Sequence, residues 1–503
     1  MKSLSNIPSG VYIGIIYLAG FLLYFFSRNQ FAFNLGDEGY TYYLADAFGK
    51  GLLPYHDVKL YNHLPTLFYI YSPVFIIMGP DIETARTFTA AFMAMTPVLF
   101  FLTIRNFVPR NIALALTVFE IFLVGSWVRF YINLLNILVL FALVKLHKNW
   151  SPGIAIVYGA VLGLVTILRI DIACLSIGLT LLLFFFHRHH VAYRWPFIAI
   201  YVLLGMLLIL IPFGMFLHIK GIDSDFIQQY LGFFSRIAAR ATIDSIPFPQ
   251  ITSYFGVVFW GSLMPISIFF IVFFNKNLRS KVDLALWILC FLWVLGNLPQ
   301  FLFERRDMTH LLDHGVAILL ALALFIYVLF NLMNIRKTYR SLIVLLMGCY
   351  FLVFLLKSPL VNCIKKPANS TVVSLNNGQR APGIGHLKQM LDLVIMNSND
   401  KSLVASYPYS PGINFLLQRM MSGKHVYLIY RYMNTEVEKE AIHDVAKVCW
   451  LFYDSGQNID ATPKGSPKNY MPDLHSYIMA NFHLVAVTKP LQLFRRNDCS
   501  GIE

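Results

Sequence analysis

The chain has 503 residues, of which 57% are hydrophobic, 16% aromatic and 13% charged, with a mean hydropathy of +0.62. Soluble globular chains carry about 25% charged residues, so this composition excludes an ordinary soluble enzyme. The formal charge of +14 sits mostly in short loops between apolar runs. That distribution reads as membrane topology rather than nucleic-acid binding.

Apolar runs of membrane length recur along the chain, each long enough to cross a hydrocarbon core of about 30 Å at about 1.5 Å per residue. Spans are predicted at 11–26, 64–79, 86–104, 111–127, 131–146, 154–169, 171–186, 196–217, 252–274, 283–303, 313–330 and 341–357. A β-barrel would need short alternating strands instead. The expected class is a polytopic α-helical membrane protein with about 11–13 transmembrane helices, followed by a small C-terminal extracytoplasmic α/β domain. The first run, Val11 to Phe26, reads as a retained span, because no small-residue cleavage site follows it.

Basic clusters lie at Lys145 to Lys148, His187 to Arg194, Lys276 to Lys281 and Arg336 to Arg340. Under the positive-inside rule these loops are cytoplasmic. The parity of the spans does not close. Counting back from a cytoplasmic Arg336 loop puts the loop 28–63 inside, whereas counting forward from a cytoplasmic N-terminus puts it outside. Either one predicted segment does not cross or a further crossing is hidden. The candidates are 64–79, broken by Pro65 and Pro73, and the pair 154–186, with Arg169 and Asp171 at its midpoint.

From about residue 358 the chain turns polar. Predicted strands at Ser402–Ser406, Lys447–Tyr453 and His483–Val487 alternate with helical patterns at His386–Met396, Asn414–Met421 and Val437–Ala446. Such alternation argues a small α/β domain. The expected organisation is a transmembrane domain at 1–357, with a first extracytoplasmic loop at 27–63, and an α/β domain at 358–503. Of the six cysteines, Cys174, Cys290 and Cys349 lie in apolar runs, and Cys363, Cys449 and Cys499 lie in the polar tail. No C-x-x-C pair points to zinc or redox chemistry. An odd count of three in the tail predicts no particular disulfide.

The most informative stretch is the polar island between the first two apolar runs. It contains Gly36-Asp37-Glu38-Gly39-Tyr40, then Ala45 and Ala47, then Gly51-Leu-Leu-Pro-Tyr55-His56-Asp57, then Asn62-His63-Leu-Pro65. Asp37 and Glu38 admit an ordinary reading as helix-capping acids. His56 and Asp57 admit one as the end of a Pro-Tyr turn. Further on, Met78-Gly79-Pro80 and Ala85-Arg86 lead into the next run. Arg129 ends Ser126-Trp-Val-Arg, and a dense block runs from Phe303 through Glu304, Arg305, Arg306, Asp307 and His310 to Asp313 and His314. Ionisable residues at membrane depth or at a membrane edge are functional candidates by default, although Arg169 with Asp171, and Glu304 with Arg305 and Asp307, can also pair among themselves. The loop 219–251, with Asp223, Asp225, Arg236 and Arg240, fits an interfacial amphipathic helix, or a lid over a site.

Taken in order, these motifs resemble the first extracytoplasmic loop of GT-C glycosyltransferases that use a polyprenyl-phosphate sugar, such as the protein mannosyltransferases and the lipid A aminoarabinose transferases. The match covers about residues 8–190 by motif and the remainder by layout. It departs where His63-Leu-Pro65 replaces Pro-Pro and where Met78-Gly79 replaces Phe-Gly. The resemblance implies transfer of a sugar from a polyprenyl-phosphate-linked donor to a glycan, lipid or protein acceptor, at the outer face of a bacterial inner membrane, by a multi-pass protein in contact with membrane lipid. It implies Asp37 as general base. Substrate contacts are expected from Glu38, Asp57, His63, Arg129, Arg169, Arg305, Arg306 and His310, the arginines because a planar guanidinium suits phosphate oxygens. No cofactor is expected. Asp37, Glu38, Asp57 and His63 are metal-ligand types, but no D-x-D stands in the loop, so a divalent metal is not favoured. No nucleic-acid partner is expected. Two other classes remain open: a transporter or flippase for a lipid-linked solute, which intramembrane Arg and Asp also fit, and a non-catalytic scaffold on the same fold.

Overall fold

The computed structural model describes residues 9–60, 64–122, 130–187, 195–228, 230–232, 283–299, 315–327, 372–430, 433–456 and 466–499. The chain divides into two compact units: one formed by Met1–Ser27, Thr89–Ile219 and Tyr230–Lys366, the other by Arg28–Phe88, Lys220–Gln229 and Pro367–Glu503.

The first unit is helical. Its described helices are α1 (Ser9–Ser27), the end of α4 (Ile82–Met93), α5 (Met95–Ile104), α6 (Arg110–Phe122), α7 (Phe130–Lys148), α8 (Pro152–Leu168), α9 (Ile170–His187), α10 (Trp195–Ile219), α11 (Leu284–Pro299) and α12 (Gly315–Tyr327). Among the described residues four helical stretches are long and apolar enough to cross a membrane: Gly10–Ser27, Ile82–Ile104, Phe130–Lys148 and Pro196–Ile219. They coincide with predicted spans, and most of the other described apolar helices fall on predicted spans as well. The spans predicted at 252–274 and 341–357 lie outside the described residues. Helix α8 meets α10 through glycines. A Cβ on Gly159 would stand 2.0 Å from the Val202 carbonyl oxygen, and one on Gly205 would stand 2.1 Å from that of Ile156. Such close approach of backbones is how helices associate where lipid removes the hydrophobic driving force.

The second unit joins the polar island to the C-terminal region. The island forms α2 (Asp37–Gly49), which is buried along nearly its whole length, and is followed by α3 (Thr66–Met78). Ser72 Oγ donates to the Ala45 carbonyl at 2.7 Å, and Phe68 stacks edge-on to both Tyr40 and Phe48. Helix α3 corresponds to the predicted span at 64–79. Its 13 residues extend about 20 Å at about 1.5 Å each, short of the roughly 30 Å of a hydrocarbon core. The other suspect pair, α8 and α9, is separated by one extended residue, Arg169.

The C-terminal region carries a four-stranded sheet of order β3 (Val404–Tyr407), β4 (Trp450–Tyr453), β6 (Leu491–Arg496), β5 (Phe482–Thr488). Strands β3 and β4 run parallel, while β4–β6 and β5–β6 run antiparallel. A separate hairpin pairs β1 (Val372–Ser374) with β2 (Arg380–Pro382). Helices α13 (Lys388–Met396), α14 (Pro411–Leu417), α15 (Thr435–Val445), α16 (Pro467–Tyr470) and α17 (Pro472–Asn481) complete it. Three strands and three helices overlap the predicted ones. The β1–β2 pair, β6, α16 and α17 were not expected: three-residue strands, a four-residue helix and a helix of marginal amphipathicity leave little periodic signal, whereas six-residue β6 does carry apolar Leu491, Leu493 and Phe494. Cys449 and Cys499 form a disulfide across 50 residues, where no pairing was predicted. The antiparallel β4–β6 register places Trp450 opposite Arg495, which brings the residues flanking these strands together. Cys363 lies outside the described residues.

The island is fastened to the C-terminal region by backbone bonds. Phe33 N–H donates to the Pro382 carbonyl at 2.9 Å, Gly412 N–H to that of Leu35 at 2.9 Å, and Lys59 N–H to that of Lys424 at 2.9 Å. At the tightest point α2 and α14 touch glycine to glycine: a Cβ on Gly39 would lie 2.3 Å from the Gly412 Cα.

Candidate active site

The two island acids divide sharply in their surroundings. Gly36 stands at the cap position of α2, so neither acid is the N-cap that the sequence alone allowed. Asp37 is the first residue of the helix. Its Oδ1 accepts a short hydrogen bond from the phenol of Tyr409, in the turn between β3 and α14. At a helix N-terminus a carboxylate is favoured by the helix dipole, and a phenol donor stabilises the same anion.

Glu38 is buried and turned the other way. Arg86, itself fully buried, donates from Nε to Glu38 Oε1 at 2.6 Å and from Nη2 to Oε2 at 2.8 Å. The remaining guanidinium donors reach the carbonyls of Arg28, of Phe31 at 2.9 Å and of Ala32 at 3.3 Å. Asn34 N–H also donates to Glu38 Oε2, at 3.2 Å. The pair therefore folds residues 28–38 around one guanidinium and presents Asp37 from a fixed frame. Arg86 appeared in the sequence only as the start of a span. An arginine within an apolar helix calls for a buried acid partner, and that was the signal available for it.

Asp57 closes a turn. Its Oδ2 accepts from Leu53 N–H at 2.8 Å, and its Oδ1 meets His56 Nδ1 at 2.8 Å. Burial alone would push its carboxyl up, but these two donors hold it below the usual carboxylate range. Tyr55, within the same turn, has φ of 69°, a left-handed conformation uncommon for a bulky residue. Nearby, Lys59 Nζ donates to Glu440 Oε2 at 2.9 Å, and Glu440 also meets the buried His425.

Among the arginines expected to meet phosphate, Arg169 is described. In the helical unit it is paired with Asp171 through two bonds, at 2.8 and 2.6 Å. Arg129, Arg305, Arg306, His310 and His63 lie outside the described residues, as does most of the loop 219–251. Among the described residues no group of three or more His, Cys, Asp or Glu side chains is arranged to hold a metal. Tyr409 was not foreseen. It lies 372 residues from Asp37, and one tyrosine among 27 carries no mark of its partner.

No protein-family profile and no curated protein sequence matches the chain. Solved structures do. The lipid A aminoarabinose transferase ArnT from Cupriavidus metallidurans, bound to undecaprenyl phosphate, is similar at a TM-score of 0.57 and 11% identity, over 97% of this chain and 98% of that one. The Archaeoglobus fulgidus oligosaccharyltransferase in complex with zinc and sulfate is similar at a TM-score of 0.58 and 12% identity, over 97% of this chain and 74% of that one. The same enzyme tethered to an acceptor peptide gives 0.55 and 10%. At such identities the likeness shows the fold alone: a mostly α-helical chain, with four described helical stretches long and apolar enough to cross a membrane and a small C-terminal α/β region, folded as in these solved structures.

Proposed function

We propose that the protein is a membrane glycosyltransferase that moves a sugar, with inversion, from a polyprenyl-phosphate carrier to an extracytoplasmic glycan, lipid or protein acceptor. The observation that carries this reading is the extent of the shared fold, which covers 97% of the chain against an aminoarabinose transferase bound to undecaprenyl phosphate.

In the proposed reaction the acceptor hydroxyl binds at Asp37, and the carboxylate takes its proton as the acceptor oxygen attacks the sugar anomeric carbon. The bond from that carbon to the phosphate oxygen breaks, and its electron pair leaves with the polyprenyl phosphate. Cationic side chains offset the charge developing there. Arg129, Arg169, Arg305 and Arg306 are proposed for that role, with Asp57, His63 and His310 as further substrate contacts. Glu38 supports the loop in this reading, since both of its oxygens serve Arg86. The Cys449–Cys499 disulfide supports an oxidising, extracytoplasmic setting for the C-terminal region.

The test is a comparison of envelope glycans and lipids by mass spectrometry between a deletion strain and the same strain complemented with the full-length gene. It is paired with native mass spectrometry of the purified protein with undecaprenyl phosphate. The reading predicts one glycosylated product lost on deletion and saturable binding of the lipid phosphate. An unchanged envelope, or accumulation of a lipid-linked sugar on the inner leaflet as a transport defect would give, contradicts it.

A further inference from the structure

We infer that Tyr409 is a positioning residue for the Asp37 carboxylate, so that the C-terminal region completes the catalytic site rather than only binding a partner. The inference rests on the transferase reading above and assigns a role that the loop motifs do not contain.

The phenol oxygen of Tyr409 donates to Asp37 Oδ1, and the contact is built from several sides. The Tyr409 ring meets Tyr427 edge to face at 5.4 Å between centroids, and Tyr427 meets Tyr40 of α2 at 5.0 Å. Tyr427 is thus held between the tyrosine and the helix that carries the acid. Gly36 leaves the space the ring occupies, since a Cβ there would lie 2.8 Å from the ring edge. The backbone leading to Tyr409 is tied as well. The Tyr407 carbonyl accepts from Asp454 N–H at 3.0 Å, and the Pro408 carbonyl accepts from Leu428 N–H at 2.7 Å. Just beyond it, α14 is pinned by Asn414, whose Nδ2 donates to the Val404 carbonyl at 2.9 Å. A residue fixed on both flanks and on its ring face is preorganised for its contact with Asp37.

The chemistry of that contact suits a base. A carboxylate offers about four lone-pair positions, so the phenol and an acceptor hydroxyl can share it. The donated bond fixes the carboxylate rotamer, so the remaining lone pairs point in a defined direction. A neutral donor stabilises the anion without the full charge of a guanidinium, which would weaken its basicity further. The acceptor proton ends on Asp37. Tyr409 keeps its own proton throughout, since a phenol ordinarily titrates near pH 10.

The experiment uses isolated membranes of the deletion strain carrying full-length wild type, Tyr409→Phe, Tyr409→Ala or Asp37→Asn. The membranes supply donor and acceptor, and the rate of formation of the product missing on deletion is followed from pH 4 to 9. Tyr409→Phe keeps the ring against Tyr427 and loses only the hydroxyl. It is expected to show wild-type thermal stability and wild-type binding of undecaprenyl phosphate. Its rate is expected to fall about ten- to a hundred-fold, the worth of one hydrogen bond to a charged group. Its acidic limb is expected to move up by about one pH unit, because the carboxylate has lost a donor that favoured its charged form. A Tyr409→Phe rate within twofold of wild type, or a fallen rate with an unmoved acidic limb, overturns the inference. Tyr409→Ala separates packing from hydrogen bonding, since a loss of thermal stability confined to Ala keeps the Phe result interpretable. Inactive Asp37→Asn with fully active Tyr409→Phe refutes only this role for Tyr409. Full activity in Asp37→Asn removes Asp37 as the base and this inference with it, whereas an envelope unchanged by deletion refutes the transferase reading beneath it.

Discussion

Replacing Glu38 by Gln asks whether that acid holds the loop or touches substrate. In the wild type every donor of the Arg86 guanidinium is used, two of them on the Glu38 carboxylate at 2.6 and 2.8 Å. The glutamine removes the negative charge and one acceptor oxygen while leaving the guanidinium out of water. Breaking a buried ion pair by deleting one partner costs about 3–5 kcal/mol, because the surviving charge is uncompensated. In a unit of about 200 residues each kcal/mol moves the melting midpoint by about 2–4 °C, so the expected drop is about 6–20 °C. The assay is thermal unfolding of the purified full chain in detergent, followed by tryptic cleavage at Arg28, which the folded loop protects through the Arg86 bond to its carbonyl and its own pairing with Glu83. Product formation should fall in parallel. A Glu38→Gln protein with wild-type melting and a raised requirement for acceptor would refute this reasoning and make Glu38 a substrate contact.

Three further outcomes follow from the same geometry. Gly39→Ala places a methyl 2.3 Å from the Gly412 backbone, which neither chain can accommodate without moving apart. The variant should lose protection of the island from protease, and an unaltered digestion pattern would contradict the close approach. Acidification should loosen the turn at residues 51–59. Lys59 and His425 hold the Glu440 carboxyl below its usual range, and burial holds His425 below its own. The folded protein therefore binds fewer protons than the unfolded chain as pH falls below about 6.5 and again below about 4.5. The stabilisation is present at pH 7 and lost on the acid side, so cleavage after Lys59 should be faster at pH 4.5 than at pH 7, and equal rates would exclude it. Finally, the Cys449–Cys499 bond closes a 50-residue loop, worth about 2–5 kcal/mol to a small domain. Thiol labelling without reductant should leave both cysteines unmodified, and their modification at full stoichiometry would show the bond absent.

The membrane-spanning class was legible because it rests on composition and on runs of apolar residues, signals that survive any detail of packing. The helix boundaries at Ser9–Ser27, Phe130–Lys148 and Trp195–Ile219 follow the predicted spans for that reason. The segment at 64–79 forms a helix as predicted; part of it packs on α2 of its own unit while Ile76, Ile77 and Met78 are exposed, and hydropathy does not distinguish burial in protein from burial in lipid. The site was legible in part. Asp37 and Glu38 stood out as adjacent acids in an acid-poor chain, but their separate surroundings depend on Arg86 and Tyr409, which join them only through the fold. Pairing across 48 and 372 residues leaves no local periodicity, so an arginine in an apolar helix signals the need for an acid without naming which one, and Tyr409 carries no mark of its partner.

The most direct measurement is the product level in the deletion strain complemented with Asp37→Asn, taken with undecaprenyl phosphate binding by the same purified variant. Asparagine keeps the size and one oxygen for Tyr409 but cannot accept the acceptor proton. The account predicts that the product stays at the level of the deletion strain, while expression, melting midpoint and lipid binding match the wild type. Product restored to near the wild-type level by Asp37→Asn would remove the base from the mechanism and with it the central claim.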